Sequence, residues 1–208
     1  MKGLLLKDLY MTAKYCRAYA LIVVVFLVVS FFGNENLFFV FYPCLMVGLI
    51  PVNLLSYDER SKWTLYSGTL PYSKAQIVSG KYLIGLFAQA IVLILTAITQ
   101  AMIMHRDGSF TFSGLMSLMA ILTVLSFVTS SFSLPVIFRW GVEKGRIAHA
   151  VIIGFAFAGG AAAGMVFQPG VQMEISFGGF LPIMFLLGIG IYALSWYLSI
   201  VFYRKREA

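Results

Sequence analysis

Apolar and polar residues divide this chain into a short amphipathic segment followed by six long apolar stretches. In residues 1–15, Leu5, Leu6, Leu9 and Ala13 recur at helical spacing on one side, with Lys7, Asp8 and Lys14 elsewhere. Charges interrupt this run too often for it to cross a bilayer, so the pattern predicts a helix lying in the membrane interface. The apolar stretches are residues 18–32, 37–55, 82–104, 115–138, 147–167 and 177–203. A transmembrane helix needs about 20 predominantly apolar residues, which all but the short first stretch supply comfortably. Pro43 and Pro51 fall in the second stretch and Pro135 late in the fourth. A proline inside a span is tolerated when neighbours re-satisfy the carbonyl that it frees. The expected fold is an all-α integral membrane protein, a single domain over residues 1–208. Six transmembrane helices are preceded by the N-terminal interfacial amphipathic helix. Lys14 and Arg17 precede the first stretch as in a signal peptide, but Val28 and Ser30 make a poor cleavage site, so an uncleaved span is expected.

Composition sharpens this picture. The 208 residues are 61% hydrophobic and 11% charged, with a mean hydropathy of +0.92. A soluble core of this size cannot hide so much apolar surface. The net charge of +7 would suit a nucleic-acid partner, but its distribution points elsewhere. Fourteen of the fifteen basic residues lie in the N-terminal segment, the 56–81 loop, the 139–146 loop and the C-terminal tail, leaving Arg106 alone on the other side. By the positive-inside rule both termini and both basic loops are cytoplasmic, in the plasma membrane. Anionic lipid is then the nearest partner of the basic excess, and no nucleic acid is expected. The outer loops at 33–36, 105–112 and 168–176 are short, so residues 56–80 form the one sizeable hydrophilic segment.

Candidate chemistry is sparse. Every Asp, Glu, Lys and Arg falls at a helix end or in a loop, whereas proton-coupled carriers and pumps usually need an ionisable group near the midplane. His105 and His149 fall on opposite sides of the bilayer and are expected to be solvated or interfacial, so no metal site is expected. Cys16 and Cys44 suggest no disulfide. Ser79-Gly80-Lys81-Tyr82 echoes the end of a phosphate-binding loop, but Ala75 stands where its first glycine should be and Tyr82 where Ser or Thr should follow. No catalytic residue and no cofactor are expected. Polar residues inside the spans form faces: Thr123, Ser126, Ser130 and Ser133 in the fourth, and Gln89, Thr96 and Gln100 in the third. Hydroxyl stripes of this kind are mainly interhelical contacts. Long amides are costlier to bury, so Asn53 and Gln89, with Thr96 and Gln100 on the same face as Gln89, are the candidates for a substrate path. Gly160 and Gly164 make a GxxxG step suited to close helix packing.

The 56–81 loop reads Tyr-Asp-Glu-Arg-Ser-Lys-Trp over residues 57–63, then Leu-Pro-Tyr-Ser-Lys-Ala-Gln-Ile-Val over 70–78, then Lys81-Tyr82. Pro71 ends one element and Ser73 is a good N-cap for the next. These stretches, with the opening Met-Lys-Gly-Leu-Leu-Leu-Lys-Asp-Leu-Tyr, resemble the ABC-2 type permease family. The nearest resemblance is to small bacterial permeases that export phenol-soluble modulins and other amphipathic peptides. It implies six spans behind an interfacial helix, pairing with a second permease protomer in a homo- or heterodimer, and one ATPase subunit bound per protomer. The segment between spans two and three would couple to that ATPase. Carried onto this chain, that role falls to Asp58, Glu59, Arg60, Trp63, Leu70, Pro71, Ser73 and Gln76. The implied function is the permease subunit of an ABC exporter, moving an amphipathic peptide or lipid-like substrate out of the cytoplasm. Two other readings stand beside it: a non-transporting immunity or sensor partner of an ABC ATPase, and a neutral-solute carrier.

Overall fold

The computed structural model describes residues 2–33, 37–67, 69, 71–166 and 181–206. They form the helices α1 (Lys2–Tyr15), α2 (Arg17–Phe32), α3 (Leu37–Met46), α4 (Leu49–Arg60), α5 (Trp63–Ser67), α6 (Lys74–Arg106), α7 (Phe112–Trp140), α8 (Val142–Val166) and α9 (Leu181–Arg206). No strand occurs among the described residues. The expected outer loop at 168–176 and the start of the sixth apolar stretch lie outside them.

Four helical segments are long and apolar enough to cross a membrane: Phe38–Arg60, Lys74–Arg106, Phe112–Trp140 and Phe185–Lys205. The pair α1 and α2 passes the same test jointly as a fifth, bent by 61° at its break. Over the expected fifth stretch, α8 is a helix of 25 residues that carries Glu143, Lys144 and Arg146 in its first turns. At about 1.5 Å per residue, α6 is about 50 Å long against a hydrocarbon core of about 30 Å, so its ends stand outside the apolar layer. Its outward side exposes Phe87, Ile94, Ile98 and Met102, and α9 exposes Leu186, Leu187 and Leu194. Water does not tolerate such continuous apolar faces, whereas lipid does.

The prolines act as their chemistry demands. Pro51 has no N–H for the Val47 carbonyl four residues back; Ile50 N–H takes that carbonyl at 3.0 Å, and the helix breaks between α3 and α4. Gly48 lies at this break, where an added Cβ would come within 2.9 Å of the His149 ring. Helix α7 continues through Pro135 because the Ser131 carbonyl that Pro135 frees accepts a hydrogen bond from the Ser195 hydroxyl of α9 at 2.7 Å.

Two apolar clusters hold the bundle. One gathers Leu4, Val78, Tyr82, Leu134, Phe138 and Tyr203 around the start of α6, and the other gathers Val23, Cys44, Leu54, Ile84, Val92 and Leu122 higher in the helices. Both cysteines are buried and free. The N-terminal helix turns Leu4 and Asp8 inward, one turn apart, and leaves Leu6, Leu9 and Tyr10 exposed. The expected apolar side of this helix is thus largely the one that faces away from the protein.

Candidate functional site

The segment between α4 and α6 holds one short helix, α5, over Trp63–Ser67. Helix α4 runs past the apolar stretch to Arg60, and Lys62 turns the chain in the left-handed region at φ 53° before α5. Ser73 then caps α6: its side chain accepts from the Gln76 N–H, and Gln76 Oε1 accepts from the Ser73 N–H. That reciprocal pair satisfies two of the donors that a helix start leaves open. Of the residues expected to form the site, Glu59, Arg60, Pro71 and Ser73 are exposed, and Gln76 is half-buried in its cap. Leu70 lies outside the described residues. Asp58 and Trp63 face inward instead. Trp63 is half-buried under the Lys7 ammonium, 3.9 Å from its ring centroid, and Asp58 is buried.

Asp58 belongs to a cluster of four charges on three helices. Lys7 Nζ of α1 lies 2.7 Å from Asp58 of α4 and 3.3 Å from Asp8 of its own helix. Lys81 Nζ of α6 lies 2.8 Å from Asp8 and 2.5 Å from Asp58. Only Lys7 retains notable exposure, at 23% of its side chain. Two lysines and two aspartates make the cluster neutral, which is the condition under which charges tolerate burial. Gly80 permits it: a Cβ there would press on Leu4 at 3.2 Å and approach Asp8, so glycine lets α1 lie against α6. The Gly80-Lys81 pair that echoes a phosphate-binding loop is therefore a helix-packing device.

The next residue fastens α6 on its other side. Ser195 has one proton and gives it to the Ser131 carbonyl, so the Tyr82 hydroxyl donates to Ser195 at 2.8 Å and accepts from Ser199 at 2.7 Å. Tyr192 donates to the Tyr82 carbonyl at 2.9 Å, and the Trp196 ring stacks on Tyr82 while its N–H donates to Ser79. Lys81 thus ties α6 to α1 and α4, while Tyr82 ties it to α9 and, through Ser195, to α7.

The four polar candidates within the spans fall in different settings. Gln89 is buried and donates to Ser130 Oγ at 2.6 Å and to the Ser126 carbonyl at 3.1 Å, joining α6 to α7. Thr96 is buried, donates back to Val92, and lies 3.8 Å from the Cys44 sulfur. Gln100 reaches Ser30 of α2 at 3.4 Å. Asn53, in contrast, lines an open cavity of about 550 Å³ together with Tyr19, Met46, Arg146 and His149. His149, expected to be solvated or interfacial, is 1% exposed and bonded through Nδ1 to Ser133 at 3.0 Å. Gly48 makes room for its ring, and no pattern in the sequence signals that packing.

The sequence reading also missed the partners of Asp58. One signal was present: Asp8 and Leu4 share a helix face, so an acid sits on the side that must pack. Among the described residues no group of three His, Cys, Asp or Glu side chains gathers as a metal site requires. What the arrangement offers is mechanical: an exposed hydrophilic segment rooted in a buried ion cluster that touches three helices. A family model described as ABC-2 family transporter protein matches residues 3–204. No curated protein and no solved structure matches the chain.

Proposed function

Since the chain belongs to the ABC-2 family of transporter proteins, we propose that it is the permease subunit of an ABC exporter, working with a separate ATPase subunit. In this reading the chain crosses the plasma membrane six times with both termini in the cytoplasm, and α1 rests in the interface. The ATPase docks on residues 58–76, meeting the exposed Glu59, Arg60, Pro71 and Ser73, while Asp58 and Trp63 root the segment in the permease. A second protomer completes the pathway. The cargo is an amphipathic peptide or a lipid-like molecule, as in the bacterial exporters of phenol-soluble modulins, since apolar walls without midplane charge suit an amphiphile.

The observation that carries this reading is the adjacency of Lys81 and Tyr82. A push on the segment moves Asp58, which is paired to Lys81 at 2.5 Å. Lys81 moves α6, and Tyr82 takes α9 with it through its two hydroxyl contacts. One helix root therefore converts a displacement at the cytoplasmic face into a coordinated tilt of α6, α7 and α9. Cargo moves only if it binds the two resulting states with different affinity.

The test is co-purification of the tagged chain with candidate ABC ATPases, followed by reconstitution and measurement of ATP hydrolysis with added amphipathic peptides. Stable association and peptide-stimulated hydrolysis are expected. Association without stimulation or transport by any amphiphile would favour the immunity or sensor role, and no association with any ATPase would sink the permease reading.

A further inference from the structure

We infer that the cavity lined by Tyr19, Asn53, Arg146 and His149 binds an anionic amphiphile whose head carries a carboxylate or phosphate beside an N–H or O–H donor. Three observations lead to that chemistry. First, Arg146 spends its hydrogen bonds on neutral partners, Ser56 Oγ at 2.9 Å and Asn53 Oδ1 at 3.5 Å. A guanidinium has five N–H donors, and its unspent fork matches a carboxylate or phosphate. Second, Asn53 Nδ2 donates to Tyr19 Oη at 2.7 Å, which leaves the phenol proton available for a second acceptor in the same cavity.

The third observation sets the other half of the head group. His149 is almost wholly buried and lines the cavity; its Nε2 has no hydrogen-bond partner, with the Leu45 carbonyl nearby. The Ser133 hydroxyl donates its single proton to the Thr129 carbonyl at 2.8 Å. Both Ser133 contacts are satisfied together only when His149 Nδ1 carries the proton and donates to Ser133 Oγ. Nε2 of the uncharged ring is then a bare acceptor, and a buried acceptor left open calls for a donor. Arg146 and His149 are three residues apart on α8, so they stand on one face about a helical turn from each other. Met46, Leu49 and Ile153 supply apolar wall, and about 550 Å³ is within the usual range for a small-molecule site.

An acylated amino acid or a peptide C-terminus has this head chemistry, and so does phosphatidylglycerol, with its phosphate and hydroxyls. Calling the occupant cargo rests on the permease reading, but binding is measured without an ATPase, so the two can fail separately. The full chain in phosphatidylcholine nanodiscs is titrated with N-lauroylglycine, with N-lauroylsarcosine, which lacks the N–H, and with dodecyltrimethylammonium. Saturable binding of N-lauroylglycine is expected, weakened about tenfold or more by loss of the N–H, which leaves the buried His149 Nε2 open, and likewise by Arg146→Gln, which removes the charge that meets the carboxylate. Ala150→Leu, which narrows the cavity wall without touching a polar group, should weaken it as well and guards against misfolding of the arginine variant. Competition by phosphatidylglycerol identifies a lipid head as the natural source, and its absence identifies a free amphiphile; either supports the site. Equal affinity of wild type, Arg146→Gln and Ala150→Leu, or equally tight binding of dodecyltrimethylammonium, overturns it.

Discussion

Asp8 and Lys81 pair at 2.8 Å with none of the aspartate side chain and 2% of the lysine side chain exposed. They belong to helices whose only covalent connection runs through the whole first third of the molecule. Removing one partner of such a pair leaves an uncompensated buried charge, at a cost of about 3–5 kcal/mol. Lys81→Met should therefore lower thermal stability sharply in detergent. Lys81→Met with Asp8→Leu keeps the cluster neutral and should recover most of that loss. A double variant as unstable as the sum of the two singles would show that the charges do not act as a unit.

A second double substitution tests the account of Pro135. Ser195→Ala orphans the Ser131 carbonyl and should cost about 1–3 kcal/mol. With Pro135→Ala in place, the new N–H at position 135 can take that carbonyl, so the same serine change should cost less. Equal costs in both backgrounds would refute the proposed division of labour between Ser195 and the backbone.

Gln89 distinguishes packing from cargo recognition. Gln89→Leu loses its bonds to Ser126 and Ser130, and stability should fall by about 1 kcal/mol per interhelical bond. Amphiphile-stimulated ATP hydrolysis by the complex should stay unchanged. Altered cargo preference with unchanged melting temperature would place Gln89 on the transport path instead.

Orientation is checked by thiol labelling in a variant lacking Cys16 and Cys44. Cysteines at Ser61, Lys144 and Ser109 all fall on exposed positions. In intact cells an impermeant reagent should reach only Ser109→Cys, following the distribution of basic residues. Labelling of Ser61→Cys from outside would reverse the topology.

The docking segment makes its own demand. Glu59→Ala and Arg60→Ala change exposed residues and should weaken ATPase association without lowering stability, whereas Trp63→Ala should lower both. An unaltered complex in the Glu59/Arg60 double variant would remove residues 58–76 as the contact.

Much of this architecture can be read from the chain because the bilayer imposes strong local rules. The apolar stretches mark the helices, Ser73 and Gln76 mark the start of α6, and Pro135 announces a free carbonyl that some neighbour must take. What remained hidden was tertiary. Nothing near Asp8 says that Lys81 will meet it, since neutralisation depends on which helix faces turn together. Asp58 stands beside Glu59 and Arg60 and looks like them, but the helix carries it to the inner side and them to the outer. His149 is hidden by a glycine about a hundred residues earlier in the chain. Composition reports how many charges a protein has, and packing decides which of them water can reach.

The four-charge cluster also imposes an order on biosynthesis. Lys7 and Asp8 leave the ribosome before Asp58 and Lys81, which complete the cluster only after the second span and the start of the third have been made. Until then Lys7 and Asp8 have only each other, at 3.3 Å, and α1 lacks the α6 surface around Gly80 and Lys81 on which it packs. Ribosome-held chains that stop short of residue 81 should leave Leu4→Cys open to alkylation, and finished chains should protect it. Helix α1 is made before α4 and α6 and takes its seat only after them.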